Sequence, residues 1–195
     1  MKIIGLTGGI GAGKSTISKI FTENGIPVYN SDNKAREIMN KNIDLKNKII
    51  LSFGKQSYQN EKLNKSYISK IIFDNKLELN KINSLVHPFV YDDFYKWIKK
   101  TPSKYIIYES ALIFETGSYK KNDFNILVIS DLDKKIERVC KRDNLSKTEV
   151  LKRINNQWDD DKKMSLCDYK IFNNSSNESK KQTLKIIEIF NNMFH

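Results

Sequence analysis

The run Gly8-Gly9-Ile10-Gly11-Ala12-Gly13-Lys14-Ser15 has the residue types and spacing of a phosphate-binding loop, GxxxxGK followed by serine or threonine. Each position has a chemical use. The glycines open backbone conformations closed to other residues. Successive amides can then turn toward phosphate oxygens. A helix starting at Lys14 adds the positive end of its dipole. Lys14 is placed for the β- and γ-phosphates of ATP, and the Ser15 hydroxyl for Mg²⁺. Thr16 stands near the α-phosphate. The alternative, a glycine-rich turn without nucleotide, does not account for the apolar run before the motif or the amphipathic helix after it.

Three further groups could do chemistry. Asp32 follows the second apolar run, at the carboxyl edge of the expected sheet, where open α/β sheets bind ligands. A carboxylate there can act as a base toward a hydroxyl or hold the water shell of a metal. It could equally cap a helix starting near Asn33. Arg138 and Arg142 lie four apart, on one helix face. They could clamp transferring phosphates or simply face solvent. The only other arginines are Arg36 and Arg153, and arginine is the better bidentate phosphate donor.

The elements that must position these residues can be read from the pattern. Ile3–Thr7 reads as a buried strand. Lys14–Asn24 reads as a helix with Ile17, Ile20 and Phe21 on one face and Gly25 as its stop. Ile26–Tyr29 is a second strand, so the chain opens as a unit of a parallel α/β sheet. From Asp32 to Lys100 the pattern is helical, with candidates at Ala35–Lys41, Leu45–Phe53, Tyr67–Phe73, Leu77–Val86 and Phe89–Lys99 and no strong strand. Tyr105–Tyr108, Asn125–Ile129 and Asp168–Phe172 read as further strands. Asp133–Arg142 and Lys147–Gln157 read as helices, Asn173–Ser179 as a polar loop and Leu184–Phe194 as a terminal helix. The expected fold is a three-layer P-loop kinase-like α/β architecture with a parallel sheet. Its core spans about 1–31 and 103–195, a helical insert about 32–102, and a lid lies within about 133–165.

The phosphate loop alone does not choose among P-loop proteins. No aspartate has glycine three residues later, as the switch of a GTPase requires. Asn75-Lys76-Leu77-Glu78 imitates a guanine-reading motif but ends in the wrong acid. Tyr108-Glu109 offers one acid where motor ATPases pair two. A dinucleotide fingerprint would need glycine at Lys14. These exclusions favour a small kinase over a GTPase, a motor or a dehydrogenase. The chain has 195 residues and a net charge of +11, and all but four of its 34 basic residues are lysine. The lysines are spread along the chain among many asparagines, so no nucleic-acid partner is expected. No apolar run is long enough for a membrane span. The first residues lack a signal-peptide pattern. Cys140 and Cys167 have no CxxC spacing and read as free thiols of a cytoplasmic protein.

Taken in order, the motifs resemble the dephospho-CoA kinase family from Ile4 to about Asn174. The opening Ile4-Gly5-Leu6-Thr7 leads into that family's form of the phosphate loop. Asp32 with Ala35-Arg36 is similar to its D-x-x-A-R segment, and Phe53-Gly54 and His87-Pro88 are similar to its FG and histidine–proline pairs. Leu112-Ile113-Phe114-Glu115-Thr116-Gly117 resembles its LLFExG stretch. Arg138, Arg142-Asp143, Gln157 and Asp168 with Asn173 fall at its lid and C-terminal signatures. The resemblance implies ATP-dependent phosphorylation of the ribose 3′-hydroxyl of dephospho-CoA, the last step of coenzyme A biosynthesis. It implies Asp32 as general base, and Asp32, Arg36, His87 and Glu115 at the acceptor. Arg138 and Arg142 would lie over the phosphates, with Asn173 on the nucleotide side. Three departures stand out. Asn30 replaces the first acid of the family's D-x-D, and an amide can be neither base nor anionic metal partner. Ser110-Ala111 replaces a proline-containing approach to Leu112, leaving Glu109 as an unexpected charge. Lys162-Lys163 replaces a lysine–arginine pair. The competing readings are another nucleoside or nucleotide kinase, and a P-loop regulatory or nucleic-acid-binding protein.

Overall fold

A computed structural model describes residues 1–72 and 75–194. In chain order the elements are β1 (Lys2–Thr7), α1 (Lys14–Glu23), β2 (Val28–Asn30), α2 (Ser31–Lys41), α3 (Ile43–Phe53), β3 (Tyr58–Gln59), β4 (Lys62–Leu63), α4 (Lys65–Ile72) and α5 (Lys76–Lys99). There follow β5 (Tyr105–Glu109), β6 (Phe124–Ile129), α6 (Leu132–Asp143), α7 (Lys147–Asn155), α8 (Asp160–Met164), β7 (Tyr169–Phe172) and α9 (Ser176–Met193). They form two compact units. One comprises Met1–Asn30 and Ser103–His195, the other Ser31–Pro102.

The first unit is built on a five-stranded parallel sheet in the order β2-β5-β1-β6-β7. Parallel strands are covered on both faces, so they read as continuous apolar runs rather than alternating ones. Ile4, Leu6, Ile106, Ile107, Ile126, Leu127 and Val128 are all fully buried. Ile17 and Phe21 of α1 and Ile186, Ile187 and Phe190 of α9 pack with these strands in one core. β1 is the central strand. Its Leu6 pairs with Glu109 of β5, which also pairs with Asn30 of β2. The carboxyl ends of three adjacent strands are therefore aligned.

Two expectations need correction in this unit. The terminal helix begins at Ser176, not near Leu184, because the Ser175 hydroxyl accepts the Glu178 amide and caps it. Its polar first turns are not all exposed: Ser179 and Thr183 are fully buried, each bonding to a carbonyl of the preceding turn. A short helix, α8, also forms outside the helices predicted from the sequence; Asp159 caps it by accepting the Lys162 amide.

The second unit is helical, with one small hairpin of β3 and β4. Its turn residues Asn60 and Glu61 have φ of 48° and 63°. Two residue pairs are too short to leave an alternating pattern, so the sequence gives no sign of the hairpin. The predicted helix Tyr67–Phe73 is α4, but its last residue lies outside the described residues. The two helices predicted on either side of His87-Pro88 are one helix, α5, with Pro88 inside it. The reason is a continuous row of Ile82, Val86, Val90 and Phe94, four apart and all buried. A proline within a helix costs about 3 kcal/mol. Burying four such side chains contributes about 1.5–3 kcal/mol each, which outweighs it.

Candidate functional site

The phosphate loop joins β1 to α1, and its conformation is enforced by neighbours. Gly11 and Gly13 have φ of 78° and 91°, in the left-handed region. A Cβ on Gly11 would lie 2.5 Å from the carbonyl oxygen of Lys135, and one on Gly13 2.1 Å from Nδ2 of Asn173. Both glycines are thus required twice over, by dihedral and by space. Among the described residues no side chain caps the start of α1, whose N-cap is Gly13. Lys14 Nζ donates to Gly8 O at 2.9 Å. Ser15 and Thr16 are exposed on the first turn.

Arg138 and Asn173 hold the loop by its carbonyl groups. The Arg138 guanidinium donates to Gly11 O at 3.2 Å, Ala12 O at 3.4 Å, Ser130 Oγ at 3.1 Å and Asn173 O at 2.8 Å. Buried Asn173 donates Nδ2–H to Ala12 O at 2.8 Å. In a trans peptide the carbonyl and the next amide point in opposite directions. Anchoring Ala12 O on this side turns the Gly13 N–H to the other. The two side chains therefore fix the direction of the Gly13 N–H through the carbonyl that precedes it. Arg142, one turn beyond Arg138, is exposed and bonded to Asp143 through Nε and NH2 at 2.8 and 2.9 Å. Those bonds raise its pKa. The two arginines share a helix but not a target.

Glu115 lies in the turn after β5 and is tied to the α8 region. Its Oε1 accepts the Trp158 amide at 3.2 Å and pairs with Lys163 Nζ at 2.9 Å. Lys163 is fully buried. Geometry at Nζ is that of an ion pair rather than a hydrogen bond, and Glu115 Oε2 is buried with no hydrogen-bond partner among the described residues. Glu109, the unexpected charge, is buried at the end of β5 and accepts the Ser18 hydroxyl of α1 at 2.7 Å.

Three of the candidate acceptor residues belong to the second unit. Asp32 is half-buried in the first turn of α2. Arg36 is one turn on, on the same face, with NH1 3.5 Å from Asn33 Oδ1. His87 is half-buried on α5 beside Tyr91, and burial lowers its pKa.

Sequence reasoning missed a further cluster. Lys135 of α6 is 7% exposed and ion-paired with Asp160. Gln157 Oε1 accepts the amide of Ile10, inside the phosphate loop, at 2.8 Å. A cavity of about 410 Å³ is lined by Gly9, Ile10, Lys135, Gln157, Trp158 and Asp160, among others. A lysine buried against the loop leaves no short motif. Only its place on the apolar face of α6, one residue before Ile136, could have signalled it.

The family described as dephospho-CoA kinase matches residues 2–179. This chain belongs to the dephospho-CoA kinase family. A dephospho-CoA kinase of Fusobacterium nucleatum is 38% identical over 171 residues, covering 87% of this chain and 88% of that one. Among solved structures, a Thermus thermophilus protein superposes with a TM-score of 0.85 at 27% identity, over 96% of each chain. The dephospho-CoA kinase of Campylobacter jejuni shares the fold with a TM-score of 0.67 at 24% identity, over 95% of each. Membership of the dephospho-CoA kinase family makes the chain a kinase with ATP as its phosphoryl donor. The parallel sheet and its loop after β1 are the common P-loop kinase fold. Among the described residues, no helix is long and apolar enough to cross a membrane.

Proposed function

We propose that the chain transfers the γ-phosphoryl group of ATP to the ribose 3′-hydroxyl of dephospho-CoA, giving coenzyme A. The observation that carries this reading is a phosphate loop, in a member of this family, whose carbonyls are anchored by Arg138 and Asn173. Phosphoryl transfer asks the protein mainly for positioning and electrostatic stabilisation, and an anchored loop supports both. In this reading the amides from Gly8 to Gly13, with Lys14, hold the β- and γ-phosphates, and Thr16 stands at the α-phosphate. Arg138 and Asn173 act through the loop.

Ser15 would hold Mg²⁺. That ion keeps several waters and takes few protein ligands alongside substrate phosphates. The exposed Ser15 hydroxyl on the first turn of α1 suits it. Bound there, it would neutralise charge on the β- and γ-oxygens. Asp32 orients and deprotonates the acceptor hydroxyl. Arg36 and His87 serve the acceptor, as does Glu115, whose carboxylate is held by Lys163 and the Trp158 amide. Residues 133–165 act as the lid, and Arg142 must leave Asp143 to reach a phosphate. The free thiols of Cys140 and Cys167 support a cytoplasmic setting.

Mass spectrometry of dephospho-CoA incubated with the protein, ATP and Mg²⁺ is the direct test. The expected product carries one added phosphoryl group on the 3′-oxygen. Phosphorylation of nucleosides with none of dephospho-CoA would overturn the acceptor. Asp32→Asn should abolish most turnover while ATP affinity stays near wild type; unchanged turnover would remove Asp32 from its role.

A further inference from the structure

Two hydrogen-bond donors at the phosphate loop are held by groups that resemble phosphate oxygens. The Ile10 amide is taken by the Gln157 side-chain carbonyl at 2.8 Å. The Lys135 ammonium is taken by the Asp160 carboxylate. Both acceptors come from one short stretch, the connection from α7 into α8. Gly9 marks where they converge. A Cβ built there would lie 3.5 Å from Gln157 Oε1, 3.7 Å from Lys135 Nζ and 3.8 Å from Asp160 Oδ1. The same groups line the cavity of about 410 Å³ that Gly9 and Ile10 open onto.

Lys135 is unusual for its type. Its side chain is 9% exposed, and that of Asp160 is 22% exposed. Lysine is rarely buried so far unless paired, and withdrawing an ammonium from water is expensive. A simple helix-packing role would be served by an apolar side chain at no such cost. The expense is explained if the cation must be at the loop. The backbone of Lys135 also lies close against the loop, since its carbonyl leaves no room for a Cβ on Gly11.

We propose that Lys135 is a second phosphate-binding lysine, exchanged from Asp160 to the terminal phosphate of ATP as Gln157 releases the Ile10 amide. A phosphate oxygen bound to the Ile10 N–H must displace Gln157, because one N–H has room for one strong acceptor. The connection from Gln157 to Asp160 therefore competes with nucleotide for two donors at once. Its release on nucleotide binding moves the start of α8. That element carries Lys163, so the exchange reaches Glu115 through the buried pair. This inference rests on the reading of the loop as an ATP site and adds a residue to it.

The test is calorimetric titration of ATP and ADP into three proteins: wild type, Lys135→Gln and Asp160→Asn. Loss of a charge-assisted hydrogen bond should weaken ATP binding to Lys135→Gln by about tenfold or more, and ADP binding much less. Asp160→Asn removes the competing anion, so it should bind ATP more tightly, by roughly threefold. The opposite signs separate this role from a structural one, in which both variants melt lower and neither distinguishes ATP from ADP. Equal losses for ATP and ADP, or weaker ATP binding to Asp160→Asn, would overturn the proposal. If Lys135→Gln does not fold, Asp160→Asn decides alone, and Lys135→Arg should keep the preference for ATP. Wild type that binds ATP without phosphorylating dephospho-CoA would sink the acceptor assignment and leave this comparison standing.

Discussion

Replacing Arg138 by lysine separates two roles that one arginine beside a phosphate loop could have. The guanidinium makes its contacts with Gly11 O, Ala12 O, Ser130 Oγ and Asn173 O between 2.8 and 3.4 Å. A lysine has one nitrogen on a flexible stem and can keep one or two of them. A hydrogen bond to a charged group is worth about 1.5–3 kcal/mol. With part of the loss recovered by water, about 2 kcal/mol of stability should go. For a chain of this size that lowers the melting temperature by roughly 4–8 °C. The carbonyls it releases no longer fix the Gly13 amide, so ATP and ADP should both bind more weakly, by a similar factor of about tenfold. The assay is thermal denaturation with and without nucleotide, together with titration of both nucleotides. A loss confined to ATP, with an unchanged melting temperature, would show Arg138 acting on the terminal phosphate directly and would refute the reasoning.

Three other outcomes follow from the structure. Glu115→Ala leaves the buried Lys163 ammonium without its partner and should cost about 3–5 kcal/mol in urea unfolding; the double variant Glu115→Leu with Lys163→Met should recover much of that stability without restoring activity, and no recovery would mean that packing rather than charge was lost. Pro88→Ala should stabilise the protein by about 1–3 kcal/mol, because Pro88 is exposed and alanine restores a helical amide; a lower stability would show that the proline shapes α5 in a needed way. His87 has its pKa lowered by burial, so the unfolded chain binds its proton more readily. The stability it contributes is full above the ordinary value of 6.5 and is lost as pH falls through the folded value. His87→Gln should flatten that part of the stability–pH curve, and an unchanged curve would contradict the assignment.

The parts of the site that were legible in sequence are those whose chemistry is local. The run from Gly8 to Ser15 is contiguous, and each of its residues acts on its own short stretch of backbone. Asp32 could be placed beside β2 for the same reason. Arg138 was found as a candidate, but its direction was not legible. Whether a guanidinium faces phosphates or loop carbonyls depends on how the fold sets α6 among the loops after β1, β6 and β7, which no spacing along the chain encodes. Lys135, Gln157 and Asp160 were missed as a group because an ion pair between α6 and α8 has no sequence period. Pro88 misled for a different reason. A local preference for ending helices was outweighed by a row of buried side chains that only the second unit's packing reveals.

The strand order has a consequence for how the molecule is made. β1 is synthesised well before its partners β5 and β6, with Lys2 beside Tyr105 and Ile4 beside Phe124. Pairings this distant along the chain are slow to find. The stretch Ser31–Pro102 is contiguous and forms a compact unit of its own, so it can organise while the first strand still waits. The loop's anchors come later still, since Arg138 and Asn173 lie 127 and 161 residues beyond the carbonyls they hold. On the ribosome, then, a chain that already displays every residue of the phosphate-binding motif lacks the means to keep it in shape. Tight nucleotide binding should therefore wait until β7 has joined the sheet and Asn173 has reached the loop.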